Sequence, residues 1–128
     1  MAILRRTAGW APDDFRTDPR LKELGFGAWE GFGWKDLRRR EPGRYAQRER
    51  DRWAFQPPGG GESYAILAVR VAEALATIDR PTVVVSHGGV ARVAMTLLAG
   101  ASTTEALAAS IWQGRILEFA SDRHRWLR

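Results

Sequence analysis

The chain has 128 residues, and twenty Lys and Arg against fifteen Asp and Glu leave a formal charge of +5. No Cys is present, which excludes disulfides and Cys-ligated zinc or iron–sulfur centres. A hydrophobic share of 45% argues against wholesale disorder, and the length suits a single domain with its own core. No apolar run approaches the roughly 20 residues of a membrane-spanning helix. The opening MAILRR is too short an apolar stretch for a signal peptide, so the cytoplasm is the default expectation. Of the twenty basic residues only Lys22 and Lys35 are lysines, leaving eighteen Arg. Net charge of that kind speaks to association, not to fold or chemistry.

In chain order, Leu4 to Trp10 suits a short helical stretch, and Asp18-Pro19 signals a turn. Leu21 to Gly33 places Gly25, Gly27, Gly31 and Gly33 among Phe26, Trp29 and Phe32. That pattern is neither helix nor strand and reads as an ordered loop with aromatic anchors. Trp34 to Arg40 suits a short helix stopped by Pro42-Gly43, and Arg44 to Trp53 a second one. Pro57 to Gly61 is the strongest break, read as a loop that positions the segment after it.

Glu62 to Ile78 is the clearest helix, because Leu67, Val71, Ala74, Leu75 and Ile78 form one apolar stripe. Thr82 to Ser86 is a largely β-branched run, expected as a strand buried on both faces of a parallel sheet. His87-Gly88-Gly89 turns the chain into a second apolar helix from Val90 to Leu98, closed by Gly100. Ser102 and Glu105 have capping-box spacing for a short helix through Ala109. Arg115 to Phe119 reads as a strand, Ser121-Asp122 as a turn and Arg125 to Leu127 as a partner strand. Helix, buried strand, glycine turn and helix in succession define an α/β layered domain.

His87 is the leading candidate for chemistry. It stands at the carboxyl end of the strand and at the start of a helix, the crevice where open α/β sheets bind ligands. Glycines there let the backbone approach a ligand, and free helix N–H groups favour an anion. An imidazole at that point suits a phosphate donor, nucleophile or base. The alternative is a strand-end His with no ligand. Glu62 opens a helix, so its carboxylate reads first as a partner of the helix dipole, and Ser63 as a cap. Glu23 and Glu30 lie in or beside the aromatic loop, as a general acid or as surface carboxylates. Residues 38–52 hold seven arginines interleaved with acids, which reads as a salt-bridged solvated surface. Nucleic-acid contact through that run, with Tyr45 and Trp53 stacking, is the lesser reading. His124 reads as an ordinary hairpin residue.

Three segments together resemble a known family. Leu21-Lys22-Glu23 followed by Phe26-Gly27-Ala28-Trp29-Glu30-Gly31 is similar to the L-x-E…F-G-x-W-E-G segment of the histidine phosphatase superfamily. This is the phosphoglycerate-mutase-like group, and the match is to its bacterial phosphatase branch. Pro57 to Tyr64 resembles its P-x-G-E-S segment, and Val83 to Arg92 its second histidine motif. The three stand in the family's order, across roughly Asp18 to Gly100.

The resemblance implies an α/β helix–sheet–helix fold and a phosphomonoesterase that works without metal or cofactor through a phosphohistidine. By motif, Glu23 takes the proton donor's position and His87 that of the second pocket histidine. Gly88 would offer its backbone N–H to phosphate, and Glu62 would support the pocket. The implied partner is a phosphorylated small molecule or phosphate, with no membrane partner.

The family's Arg-His-Gly nucleophile motif occurs nowhere in the sequence. Leu4 to Ala8 resembles the tail of a later family segment, R-x-x-x-T-A. Ile3 then stands where the phosphate-binding Arg belongs, or Arg6 takes the role in a shifted register. The chain reads as a member that begins past its nucleophile, by truncation, a misplaced start or decay. This reading carries three expectations: an incomplete sheet, self-association along an exposed Val83–Val85 edge, and inactivity of the chain alone. The rival readings are a non-catalytic phosphate- or phosphoprotein-binding remnant and, lesser, an Arg-rich nucleic-acid module.

Overall fold

The structure, a computed structural model, describes residues 16–127. The helix expected at Leu4 to Trp10 and the candidate Arg6 lie outside those residues. The architecture is α/β. Among the described residues, five α-helices and a two-stranded antiparallel sheet come after two short 3₁₀ turns, Pro19–Leu21 and Gly27–Trp29. The helices are α1 (Trp34–Arg40), α2 (Pro42–Arg50), α3 (Tyr64–Leu75), α4 (Gly88–Ala99) and α5 (Thr103–Ala108). The strands are β1 (Ile116–Ala120) and β2 (Arg123–Leu127).

The core forms where the apolar stripes of α3 and α4 meet. Leu67 and Val71 of α3 pack with Val90 and Val93 of α4, and Leu24 closes the cluster. Helix α4 also touches both strands of the hairpin, so it lies between α3 and the sheet. Ser63 caps α3, its Oγ accepting from the Ile66 amide at 3.2 Å. Ser102 and Glu105 form the expected capping box on α5. Gly100 ends α4 with φ of +64°, the left-handed conformation that glycine adopts without a Cβ penalty. Ser121 and Asp122 both have positive φ, which matches the right-handed twist of a two-residue hairpin and pairs Ala120 with Arg123.

The two glycine-rich segments interlock. Ala28 donates its amide to the Pro58 carbonyl at 2.8 Å, and Glu62 donates its amide to the Gly25 carbonyl at 2.8 Å. A Cβ on Gly27 would lie 2.4 Å from the Pro58 oxygen, and its φ is +55°. Only glycine lets these backbones approach so closely. The aromatic anchors then lock the loop. Trp29 is buried, stacks on Phe55 at 5.1 Å and donates its indole N–H to Glu41 at 3.1 Å. Trp53 stacks on Tyr64 at 5.6 Å, fixing the start of α3.

Two expectations need correction. First, the helix at Trp34–Arg40 stops before Pro42 as expected, but the second helix does not wait for Arg44: Pro42 itself opens α2 at the first helical position, where its missing N–H costs nothing. That helix stops at Arg50, because the Asp51 carboxylate takes the Trp53 and Ala54 amides. Second, Thr82 to Ser86 forms no ladder among the described residues, and Val83, Val84 and Val85 are 67%, 40% and 58% exposed. β-Branched side chains make a buried strand only where neighbours cover both faces. Here β1 and β2 pair with each other, and the run is tied by the Ser86 hydroxyl donating to the Leu21 carbonyl at 2.7 Å and, locally, by the Thr82 hydroxyl donating to the Arg80 carbonyl at 2.8 Å.

Candidate functional site

The site is built where residues 20–24 cross the N-terminus of α4. Asp18 starts this segment by accepting from the Arg20 amide at 2.9 Å and pairing with its guanidinium at 2.6 Å. Arg70 of α3 then holds the segment from below. Its Nη1 donates to the Arg20 and Lys22 carbonyls at 2.6 and 2.9 Å, and its Nη2 to the Glu23 carbonyl at 3.2 Å. Its Nε and Nη2 also grip the two oxygens of Glu62, each at 2.7 Å. All five N–H donors of this one guanidinium are therefore used.

That arrangement defines what Glu62 does. Both its carboxylate oxygens face Arg70, and the guanidinium hydrogen bonds hold its pKa below the ordinary 4.5. Arg70 moves the opposite way, its pKa raised chiefly by the Glu62 carboxylate. Glu62 is an ionised strut, joined to the acid-bearing segment through Arg70 and through its own amide on Gly25.

Glu23 sits on the other side of the segment. Its Oε1 accepts from the Leu24 amide at 2.9 Å and the Gly89 amide at 3.1 Å, and its Oε2 lies 3.3 Å from the same Gly89 nitrogen. The carboxylate thus rests on the first turn of α4, the positive end of the helix dipole. A Cβ on Gly89 would lie 2.3 Å from Oε1, so this contact requires glycine. His87 is the N-cap of α4, is exposed, and makes no capping hydrogen bond with its side chain. The Gly89 N–H is taken by Glu23, and beside it the exposed imidazole of His87 and the first N–H of the helix are the groups that suit an oxyanion.

Four expected site residues therefore divide into two groups. Glu23, His87 and Gly88 come together at the α4 N-terminus, while Glu62 stands behind it. Glu30 accepts from the Phe26 amide at 3.2 Å and shapes the loop. His124 packs on Phe119, with ring centroids 6.1 Å apart. Arg39, Arg44 and Arg48 pair with Asp36, Glu41 and Glu49, the interleaved charge pattern seen in the sequence. Arg70, Gly89 and Arg92 escape the sequence reading. The signal for Arg70 is present there: it is the one cation in the apolar run of α3. Arg92 donates to the Gly88 and Ala109 carbonyls at 3.4 and 3.2 Å, tying α4 to the end of α5.

The fold places this acid-and-histidine site in the phosphoglycerate-mutase-like α/β class. A candidate alpha-ribazole-5'-P phosphatase from Escherichia coli K-12 superposes over 99% of this chain and 68% of its own with a TM-score of 0.70. At 22% identity that likeness concerns the fold alone. Phosphoglycerate mutase from Thermus thermophilus is 37% identical, covering 73% of this chain and 52% of its own with a TM-score of 0.55. The family model of the histidine phosphatase superfamily (branch 1) matches residues 2–127, and the chain belongs to that family.

Among curated relatives, a metal-independent phosphoserine phosphatase of Arabidopsis thaliana is 38% identical over 79 residues, covering 58% of this chain and 33% of that protein. A glucosyl-3-phosphoglycerate phosphatase of Mycobacterium tuberculosis is 40% identical over 88 residues, covering 58% of this chain and 38% of that protein. The match thus spans between 33% and 38% of the length of these relatives.

Proposed function

We propose that this chain carries the proton-donor and second-histidine portion of a phosphomonoesterase site. The observation that supports it is the Glu23 carboxylate resting on the Gly89 amide, beside the exposed His87. In this reading His87 and the Gly88 N–H hold the phosphoryl oxygens. A nucleophile forms its bond to phosphorus as the P–O ester bond breaks, and Glu23 gives its proton to the leaving alkoxide. Glu62 and Arg70 keep Glu23 in register. The phosphatase names of the curated relatives favour hydrolysis over mutase chemistry.

Family chemistry through a phosphohistidine needs a nucleophilic histidine in addition to the pocket one. Two histidines are present in the 128 residues, and His124 belongs to β2, the second strand of the hairpin. This single site imidazole favours a second reading, in which the chain binds phosphate or a phosphoprotein without turnover. Hydrolysis of p-nitrophenyl phosphate without added metal separates the two. Turnover that vanishes in His87→Ala and in Glu23→Gln supports the phosphatase reading. No turnover, with phosphate still raising the melting temperature, supports the binding reading. Absence of both turnover and phosphate protection overturns the site assignment.

The proposal includes self-association, supported by the Val83 to Val85 run, which is exposed and has no ladder partner among the described residues. Sedimentation velocity over a concentration series checks it. A single monomeric species throughout contradicts it.

No described helix is long and apolar enough to cross a membrane.

A further inference from the structure

His87 stands at the end of a run that has little to hold it. Residues 81–87 belong to no helix or ladder, and the side chains of Val83, Val84 and Val85 are exposed. The Thr82 hydroxyl bonds locally, to the Arg80 carbonyl two residues back. The imidazole makes no capping bond of its own. Exposed backbone outside any ladder opens locally unless a specific contact fixes it.

Ser86 supplies that contact. Its Oγ donates to the Leu21 carbonyl at 2.7 Å, across 65 positions of sequence. The bond joins the residue before His87 to the residue two before Glu23. On the other side of His87, the Gly89 amide donates to Glu23 Oε1 at 3.1 Å. His87 is thus bracketed by two ties, both to the short stretch that carries Glu23.

The tie at Ser86 is distinct from the one at Arg70. Arg70 takes the carbonyls of Arg20, Lys22 and Glu23, which fixes this stretch to α3. The Leu21 carbonyl is left over, and Ser86 takes it. Removing the Ser86 hydroxyl therefore leaves the Arg70–Glu62 pair intact and frees the N-terminal side of His87.

We propose that Ser86 is a positioning residue: its hydroxyl, seated on the Leu21 carbonyl, sets the place of His87 relative to Glu23. The use made of that placement, phosphoryl binding by His87, rests on the phosphomonoesterase reading above. The tether itself stands on the geometry. A misplacement of about 1 Å in a group that meets the reacting atoms can cost on the order of a hundredfold. One exposed neutral hydrogen bond can therefore matter far more to the site than to the fold.

The test is NMR of the whole chain, of Ser86→Ala and of Ser86→Thr, in two arms. The first is amide hydrogen exchange. The Gly89 N–H reports the Glu23 tie directly, and the Met95 N–H, buried in the middle of α4, reports the helix. In Ser86→Ala, Gly89 should exchange at least about fivefold faster while Met95 is unchanged, the signature of local opening. Ser86→Thr should restore the original rate, because Ser86 is exposed and the added methyl group has room. The second arm titrates inorganic phosphate and follows the two imidazoles, with His124 of the hairpin as internal reference. The His87 resonances should shift and those of His124 should not. Ser86→Ala should need at least about fivefold more phosphate for the same shift, and Ser86→Thr should not.

A Gly89 rate unchanged in Ser86→Ala, or a change that Ser86→Thr does not reverse, overturns the proposal. So does a rise at Gly89 matched at Met95, which marks Ser86 as merely structural. Faster Gly89 exchange alone, with no phosphate shift at His87 in any form of the chain, upholds the tether and counts against the Glu23–His87 reading. A phosphate shift at His87 with equal affinity in Ser86→Ala and the unmutated chain leaves that reading standing and removes this one.

Discussion

Replacing Arg70 with Met removes the fork of donors while keeping an apolar stem of similar length. Two donors serve the Glu62 carboxylate and three serve backbone carbonyls of residues 20, 22 and 23. Net contributions run near 1 kcal/mol for a neutral hydrogen bond and about 1.5–3 kcal/mol where a charge takes part. Both partners are largely buried, at 21% and 18% exposed, so solvent replaces only part of what is lost. Arginine also gives up about 2 kcal/mol of rotamer freedom when it is fixed, which the less tightly held Met recovers in part. The five bonds share one guanidinium and do not add, so the loss is set by breaking one largely buried pair, about 3 kcal/mol. For a chain of this size that lowers Tm by roughly 10 °C.

Urea and thermal unfolding of Arg70→Met, Glu62→Gln and the double variant measure this directly. The double variant should lose less than the two single losses added, because the second change removes a group already stranded. A single-variant loss below about 1 kcal/mol, or strict additivity, would refute the claim that Arg70 organises the segment.

The same contacts set further expectations. The folded-state pKa of Glu62 is depressed, so its stabilising contribution is complete above the ordinary value of 4.5 and is lost as pH falls through the folded value. Thermal melts between neutral pH and about pH 3 should therefore fall less steeply for Glu62→Gln than for the unmutated chain. Gly89→Ala places a methyl group 2.3 Å from the Glu23 carboxylate, in a buried position. It should cost about 1–3 kcal/mol and abolish phosphate protection, whereas Gly88→Ala meets the flexible end of Arg92 at 3.3 Å and Ile111 at ordinary contact distance and should cost less; paired thermal melts with and without phosphate check both. Gly27→Ala combines a φ of +55° with a clash 2.4 Å from the Pro58 carbonyl, and chemical denaturation should show a loss of more than about 2 kcal/mol.

The helices are legible in the sequence because each carries a periodic or capping signal. Leu67, Val71 and Ala74 mark the buried side of α3, and the Ser102–Glu105 pair announces α5 before any packing is considered. The hairpin is legible through Ser121-Asp122, whose polar side chains tolerate positive φ. Thr82 to Ser86 misleads because β-branching reports a preference for pleated, covered surface, and coverage is a property of the fold and not of the run. Pro42 marks the end of α1 correctly but hides the start of α2, because the same proline that stops one helix can stand at the first position of the next.

At the site, motif order locates Glu23, His87 and Gly88 on one feature. It does not separate Glu62 from them. An acid that meets ligand and an acid that braces an arginine look alike until Arg70 is placed eight residues further along the chain. The arginine-rich run conceals the same ambiguity. Arg39 and Arg44 are outward ion-pair partners, while Arg48 and Arg52 turn toward a cleft they share with a distant residue of α4, Arg92.

The most direct test is calorimetric titration of the chain with orthovanadate, beside His87→Ala and Glu23→Gln. If His87 holds the phosphoryl oxygens and Glu23 only donates a proton to the leaving group, Glu23→Gln binds vanadate about as well as the unmutated chain. His87→Ala should then bind at least about tenfold more weakly, the loss of one charge-assisted donor. Equal affinity of His87→Ala and the unmutated chain would contradict the assignment of this site.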